Sequence, residues 1–164
     1  MLSRKAKYAL RALSILAQAQ PAQLQARVIA QQAAVPEKFL ETILVELKRA
    51  GLVSSRRGTE GGHSLARPAA QIVVGEIIRV IDGPIAPLRC ASISAYQPCS
   101  DCVDPDACAL RLLMGDVRDA MASVIDQCSL QQLASGEAAT APVASAVADP
   151  AYHFDNRASG TLQR

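Results

Sequence analysis

The chain has 164 residues, half of them hydrophobic, with 3% aromatics and no tryptophan, so it is expected to form one domain with an arm or tail, around a helix-favouring core of Leu, Ile, Val and Ala. The formal net charge of +2 hides a division: residues 1–68 hold 11 Lys+Arg against 4 Asp+Glu, a net +7, and the remainder carries −5, which places any polyanion contact in the first half. No stretch approaches the ~20 apolar residues of a membrane span, and the N-terminus lacks a cleavable signal pattern, so a cytoplasmic protein with no membrane partner is expected.

The first predicted helix covers residues 3–19, with Tyr8, Ala9, Ala12, Leu13 and Leu16 on its buried side. Arg4, Lys5, Lys7 and Arg11 fall on the other side or at the entry, where basic groups can touch phosphate. Gln20-Pro21 ends this helix and a Gln/Ala-rich linker follows. A short second helix is predicted over residues 27–34, packing through Val28, Ile29 and Ala30. A tight turn through Val35 and Pro36 leads to the third, with the proline at its first helical position, where a missing N–H costs nothing. Leu40, Ile43, Leu44 and Leu47 recur at the spacing of one buried stripe. Lys38, Glu41, Thr42, Lys48 and Arg49 then face outward. Gly51 is expected to stop the helix as a left-handed residue, with Leu52 packing back on the last turn.

Residues 52–56 and 63–67 read as two short strands around a tip that carries Arg57, Gly58, Gly61 and Gly62. A polar-faced helix followed by a basic-tipped hairpin is the pattern of a winged helix-turn-helix, whose second helix enters the major groove with its N-terminal residues toward base edges. Lys38, Glu41 and Thr42 are the candidate base contacts, since lysine donates to guanine and a carboxylate accepts from cytosine. Arg56 and Arg57 are the wing's candidates, with Gly58, Gly61 and Gly62 allowing close backbone approach. The glycine pair does not make a nucleotide loop, because no G-x-x-x-x-G-K-[ST] motif surrounds it. Beyond Pro68, residues 73–82 give a core helix through Val74, Ile77, Ile78 and Ile81.

A loop over residues 84–107 carries Cys90, Cys99 and Cys102, and Cys108 lies just beyond it, in the pattern C-x8-C-x2-C-x5-C. Asp104-Pro105 reads as a helix start, which would put Cys108 in the first turn, where the partial positive charge favours a thiolate. The helix is expected over residues 105–127, and Leu110, Met114, Val117, Met121, Val124 and Cys128 form a heptad seam suited to a second copy of the chain. Cys128 on that seam reads as a buried small hydrophobe. Ser129 and Gln132 make a capping box for a last short helix, and residues 136–164 read as a disordered tail. The expected division is therefore a DNA-binding domain (1–83), a sensor loop (84–107), a dimerisation region (108–135) and the tail. Four thiolates suit an iron–sulfur cluster or a tetrahedral zinc ion. They also suit a thiol switch, with a Cys99–Cys102 disulfide, or four reduced cysteines without a role. An enzyme with a cysteine nucleophile is disfavoured, because only His63 and His153 offer a base.

The segments LSRKAKYALRAL, VPEKFLETILVELKRAGLVSSRRGTEGGHSLAR and VGEIIRVIDG, and the loop entering CALR, resemble the Rrf2 family of winged-helix regulators. The resemblance spans about residues 1–135. It implies a homodimer on a near-palindromic double-stranded DNA operator, with the long C-terminal helices crossing and the cysteine loops beside them. It matches Lys38, Glu41 and Thr42 to the reading helix and Arg56, Arg57, Gly58, Gly61 and Gly62 to the wing. Lys5 and Tyr8 on the first helix complete the expected DNA-contacting set. Cluster-binding members carry C-x5-C-x5-C and a fourth, non-cysteine ligand. Here Cys102 and Cys108 keep the second step, Cys90 takes the first place and Cys99 is extra. Arg111 stands where one branch has a ligating histidine, and His63 where an aromatic is common. The expected protein is mainly α with a small β-wing: a dimeric DNA-binding transcriptional regulator, not an enzyme. Its loop would sense redox state, nitric oxide or iron–sulfur status through Cys90, Cys99, Cys102 and Cys108. The alternative is a regulator with a thiol switch, structural zinc or a small-molecule effector.

Overall fold

A computed structural model describes residues 2–58, 61–102 and 104–137; from residue 138 onward the expected tail lies outside them. The molecule is mainly helical with one two-stranded antiparallel sheet. Helix α1 (Arg4–Ala19) is capped by Ser3, whose Oγ accepts from the Ala6 N–H at 3.0 Å. Ala6, Ala9 and Ala12 are fully buried beside Leu13 and Leu16, so α1 has a smooth face against which other helices can pack closely. Those neighbours are α2 (Ala26–Ala33), α3 (Glu37–Arg49), α4 (Val74–Asp82) and α6 (Leu130–Ser135). The Ser3 N–H also donates to the Asp82 carboxylate at 2.8 Å, tying the entry of α1 to the last turn of α4. In α2 the buried residues are Ile29, Ala30 and Ala33; Val28, expected in the core, is half-buried.

The stripe of α3 is buried as its spacing requires: Leu40, Ile43, Leu44 and Leu47 are each 2% exposed or less. Its start differs by one residue from the expectation. Pro36 is the N-cap, with ψ 130°, and its carbonyl accepts from the Phe39 and Leu40 N–H groups, so the proline precedes the first turn. The end matches a Schellman turn. Gly51 has φ +73°, its N–H donates to the Lys48 carbonyl, and the Leu52 N–H reaches back to the Leu47 carbonyl at 2.9 Å. Leu52 is fully buried and the chain leaves directly into the wing.

Strands β1 (Val53–Arg56) and β2 (Gly62–Leu65) pair with Arg56 opposite Gly62 and Val53 opposite Leu65. The Gln/Ala-rich linker after α1 adds an antiparallel bridge to this hairpin. Leu24 and His63 exchange two backbone hydrogen bonds, at 3.0 and 2.8 Å. A Cβ on Gly62 would lie 2.7 Å from the Leu24 carbonyl oxygen, so the missing side chain at Gly62 is what lets the third segment approach.

Helix α4 buries Val74, Gly75 and Ile77, while Ile78 and Ile81, expected in its core stripe, are half-buried. Helix α5 (Ala109–Gln127) begins later than expected. The Asp104 carboxylate accepts from the Asp106 and Ala107 N–H groups at 2.9 and 3.3 Å, closing a separate turn. The chain is then extended again at Cys108, which is the N-cap and not a first-turn residue. After α5 the backbone pairs with the segment before α4. Val74 donates to the Cys128 carbonyl and Leu130 to the Ile72 carbonyl, at 2.9 and 2.7 Å. The capping box of Ser129 and Gln132 is formed, and α6 buries Leu130 completely in the same core as α1 and α3.

Gly62→Ala is expected to destabilise the fold by about 1–3 kcal/mol, since a backbone carbonyl cannot move aside as a side chain can; chemical denaturation of the variant against the native chain measures it.

Candidate DNA interface and thiol loop

The buried stripe of α3 leaves Lys38, Glu41 and Thr42 exposed along its first two turns. Lys5 of α1 lies beside them: Lys5, Lys38, Phe39, Thr42 and Ile43 together line a concavity of about 400 Å³. Lys5 is paired with Glu46 at 2.7 Å, both side chains about one-third exposed. An ion pair so exposed is worth about 0–1 kcal/mol, so it holds the ammonium in place without withdrawing it from phosphate. Tyr8, expected on the buried side of α1, is half-buried and meets the Phe39 ring edge-on, with centroids 6.4 Å apart.

Arg56 and Arg57 are exposed at the wing, with Gly58 at φ +114°. A Cβ on Gly61 would lie 2.3 Å from the Arg56 carbonyl oxygen, so Gly61 is required by the tip itself. His63 belongs to the wing as well. Its Nδ1 is 3.0 Å from Ser55 Oγ, and burial, then the charge of Lys48, pushes its pKa below the ordinary histidine value.

The thiol loop is held against α5 by two arginines seven residues apart on that helix. Arg111 donates from Nε to the Cys90 carbonyl at 3.1 Å, and from Nη1 to the Pro105 carbonyl at 2.9 Å and the Asp106 carboxylate at 2.8 Å. Its guanidinium also lies 5.4 Å from the centroid of the Tyr96 ring. Arg118 donates to the Ala91 carbonyl and forms a two-point fork with Asp119, at 2.7 and 2.8 Å. Both arginines therefore grip the short 3-10 turn Arg89–Ala91, and within it Cys90 is buried.

The thiols act on one another, Cys90 most on Cys99 and Cys108 most on Cys102, with Cys102 also acting on Cys99 through its charge. Contact with Cys90 is the leading cause that pushes the Cys99 thiol up to about 11. Contact with Cys108 is the leading cause that raises Cys102. Cys108 moves the other way: the Arg111 backbone N–H first, then the Cys102 thiol, hold it below its ordinary value, although no formal cap hydrogen bond is made. An all-thiol donor set on one loop fits an iron–sulfur cluster or zinc in chemistry. As the side chains stand, no group of three or more His, Cys, Asp or Glu among the described residues is disposed to hold one ion. All five cysteines are free, and Cys128, expected to be buried, is half-buried between α5 and α6.

Several of these features were not found from the sequence. Phe39 was left unassigned, although an aromatic one place off the stripe of α3 was a legible signal. Arg118 carries no expected role and Arg111 only the place of a ligating histidine, although seven residues make about two helical turns and set both side chains on one face.

A reading helix with an exposed first turn, set beside an arginine-bearing wing, defines the class of winged-helix regulators. The sequence model of the Rrf2 family, described as iron-dependent transcriptional regulator, matches residues 2–136, and the chain belongs to that family. It is 44% identical over 144 residues to an Rrf2-like HTH-type transcriptional regulator of Rhodobacter capsulatus, covering 85% of this chain and 96% of the relative. Among solved structures, CymR of B. subtilis, titled the global cysteine regulator, superposes with a TM-score of 0.68 at 34% identity, covering 83% of this chain and 97% of that one. IscR of T. potens gives a TM-score of 0.65 at 29% identity, covering 86% and 91%. No helix among the described residues is long and apolar enough to cross a membrane.

Arg111→Met is expected to raise the alkylation rate of Cys90 on the order of tenfold, because it removes charged hydrogen bonds worth about 1.5–3 kcal/mol each. Cys128, at the opposite end of α5 from Arg111, serves as the internal reference, and mass spectrometry of labelled peptides reads both.

Proposed function

We propose that the protein is a homodimeric, sequence-specific DNA-binding transcriptional regulator, acting in the cytoplasm, whose cysteine loop binds an iron–sulfur cluster and senses redox state, nitric oxide or cluster supply. The carrying observation is the surface made by the first turn of α3 and the wing. It exposes Lys38, Glu41, Thr42, Arg56 and Arg57 together on the half of the chain with net charge +7. Lys38, Glu41 and Thr42 read base edges. Lys5 and the wing arginines contact phosphate or the minor groove, Gly58, Gly61 and Gly62 keep the wing tip compact, and Tyr8 supports the α3 face from α1. Charge reversal separates the two roles: Arg57→Glu is expected to weaken binding to all duplexes and lower the salt slope by about one, whereas Glu41→Gln alters sequence preference. Affinity measured across a salt series checks this, and an unchanged Arg57→Glu variant would remove the wing from the interface.

Dimerisation is supported by α5. None of its 19 residues is buried: of the expected seam Leu110, Val117, Met121 and Val124 are 37–55% exposed, Met114 and Cys128 are half-buried, and Leu113, outside that seam, is 51% exposed. A second α5 is the natural cover for such a seam, and two half-sites on DNA require two copies.

Cys90, Cys99, Cys102 and Cys108 are the residues that would hold the cluster, with Arg111 bracing the loop in place of a ligating side chain. When bound, the cluster supplies a centre reactive toward oxidants and nitric oxide. Cys108 is the N-cap of α5, so the state of its thiol bears directly on the first turn of the dimer helix and hence on half-site spacing. A second reading, oxidation of the thiols without metal, is favoured by the contact of Cys102 with the lowered thiol of Cys108.

An anaerobic absorption spectrum with iron, sulfide and zinc assays on the same sample decides between them. Matched iron and sulfide in a brown protein are expected; a colourless protein after anaerobic reconstitution excludes the cluster, stoichiometric zinc then makes the loop structural, and no metal leaves the thiols as the switch.

A further inference from the structure

Phe39 sits in the first turn of α3 with 56% of its surface exposed. A lone exposed hydrophobic needs no explanation by itself, but this ring is built into a setting. Tyr8 holds it edge-on at 6.4 Å, with the rings inclined by 76°, so its position is fixed from a neighbouring helix. Around it lie Lys5, Lys38 and Thr42 on the same concavity, with Glu46 facing Lys5 and Glu41 exposed a half-turn away. A rigid apolar ring rimmed by two ammonium groups at the N-terminus of a reading helix fits a polyanion that offers an apolar feature at the depth of a side chain. The major groove of DNA offers one such feature among its base edges, the C5-methyl group of thymine, and phenylalanine is among the side chains that contact it.

We infer that Phe39 reads a thymine methyl in each half-site of the operator, with Tyr8 as the positioning residue that fixes the ring and Lys5 and Lys38 drawing the flanking polar and phosphate groups onto it. This rests on the DNA-reading function proposed above. The ring adds to Lys38, Glu41 and Thr42 an apolar contact that hydrogen-bonding side chains cannot make, and it calls for a T·A pair at the position facing the start of α3.

The test uses the full chain and duplexes that it selects from a random pool. In a selected duplex, thymines are replaced one at a time by uracil, which keeps the base pair and removes only the methyl. One uracil position per half-site is expected to weaken binding by the native chain about fourfold, the value of one buried methyl. Phe39→Ala should bind the thymine and uracil duplexes equally. Phe39→Leu should keep part of the discrimination, and Tyr8→Phe, which preserves the edge contact, should keep all of it, whereas Tyr8→Ala loses it. If no duplex is enriched, the DNA-reading function falls and this inference falls with it. If duplexes are enriched but no thymine is methyl-sensitive, or if Phe39→Ala keeps the full uracil penalty, this inference alone is overturned. A change in oligomeric state of Phe39→Ala with the uracil penalty intact also overturns it, and assigns the ring to a protein contact.

Discussion

Burial of one stripe on α3 determines what that helix can show. With Leu40, Ile43, Leu44 and Leu47 all inside the core, the helix cannot rotate about its axis without bringing leucines into water, and truncating any one of them carries a cost of about 2–5 kcal/mol. The residues before and between them in sequence are thereby forced outward: Lys38, Phe39, Glu41 and Thr42 in the first turns, and Val45 further on. The Schellman turn at Gly51 extends the same constraint into the wing. Leu52 must reach the core, so β1 leaves α3 in one direction only. The reading face and the wing arginines are therefore presented together as a consequence of packing behind them.

Helix α5 is held by different forces. Within one chain it buries no residue and is fastened by polar contacts: Arg111 and Arg118 to the thiol loop, and a forked Arg79–Asp126 pair to α4 at 2.6 and 2.8 Å. Arg79 and Asp126 are about 40% exposed, and pairs of that kind contribute about 0–1 kcal/mol each. Burying one Leu or Val side chain of the exposed seam contributes about 1.5–3 kcal/mol. Within one chain Leu110, Val117, Met121 and Val124 of the seam are left 37–55% exposed, and the polar contacts are what fasten α5 to the rest of the molecule.

Features governed by local rules were legible in the sequence: the stripe of α3, the glycine stop, the hairpin, and the capping box of Ser129 and Gln132. Boundaries slipped where two local rules competed. Pro36 suits a first helical position, yet its carbonyl serves better as the acceptor that opens α3. Asp104 does cap N–H groups, but of a turn that ends before Cys108. What stayed hidden was set by partners distant in sequence. Nothing near Leu24 announces a strand, because its ladder partner is His63. Gly62 looked like a tip residue, although the backbone of Leu24 is what requires it to be glycine. In the candidate sites, exposure on α3 followed from its period, whereas the grip of Arg111 on Cys90 depended on how the loop folds back.

The two ends of α5 meet different parts of the molecule. At the first turn, Arg111 touches the loop through three acceptors and its own N–H faces Cys108. Fifteen residues along, about 22 Å at helical rise, Asp126 is forked to Arg79. The Asp126 carboxylate lies over Gly75 of α4, in space that a side chain at that position would contest. The Val74 N–H to Cys128 carbonyl bond closes the same corner. Helix α4 in turn places Ile77 in the core shared with α3. One helix therefore joins the cysteine-bearing turn at its start to the core behind α3 at its end.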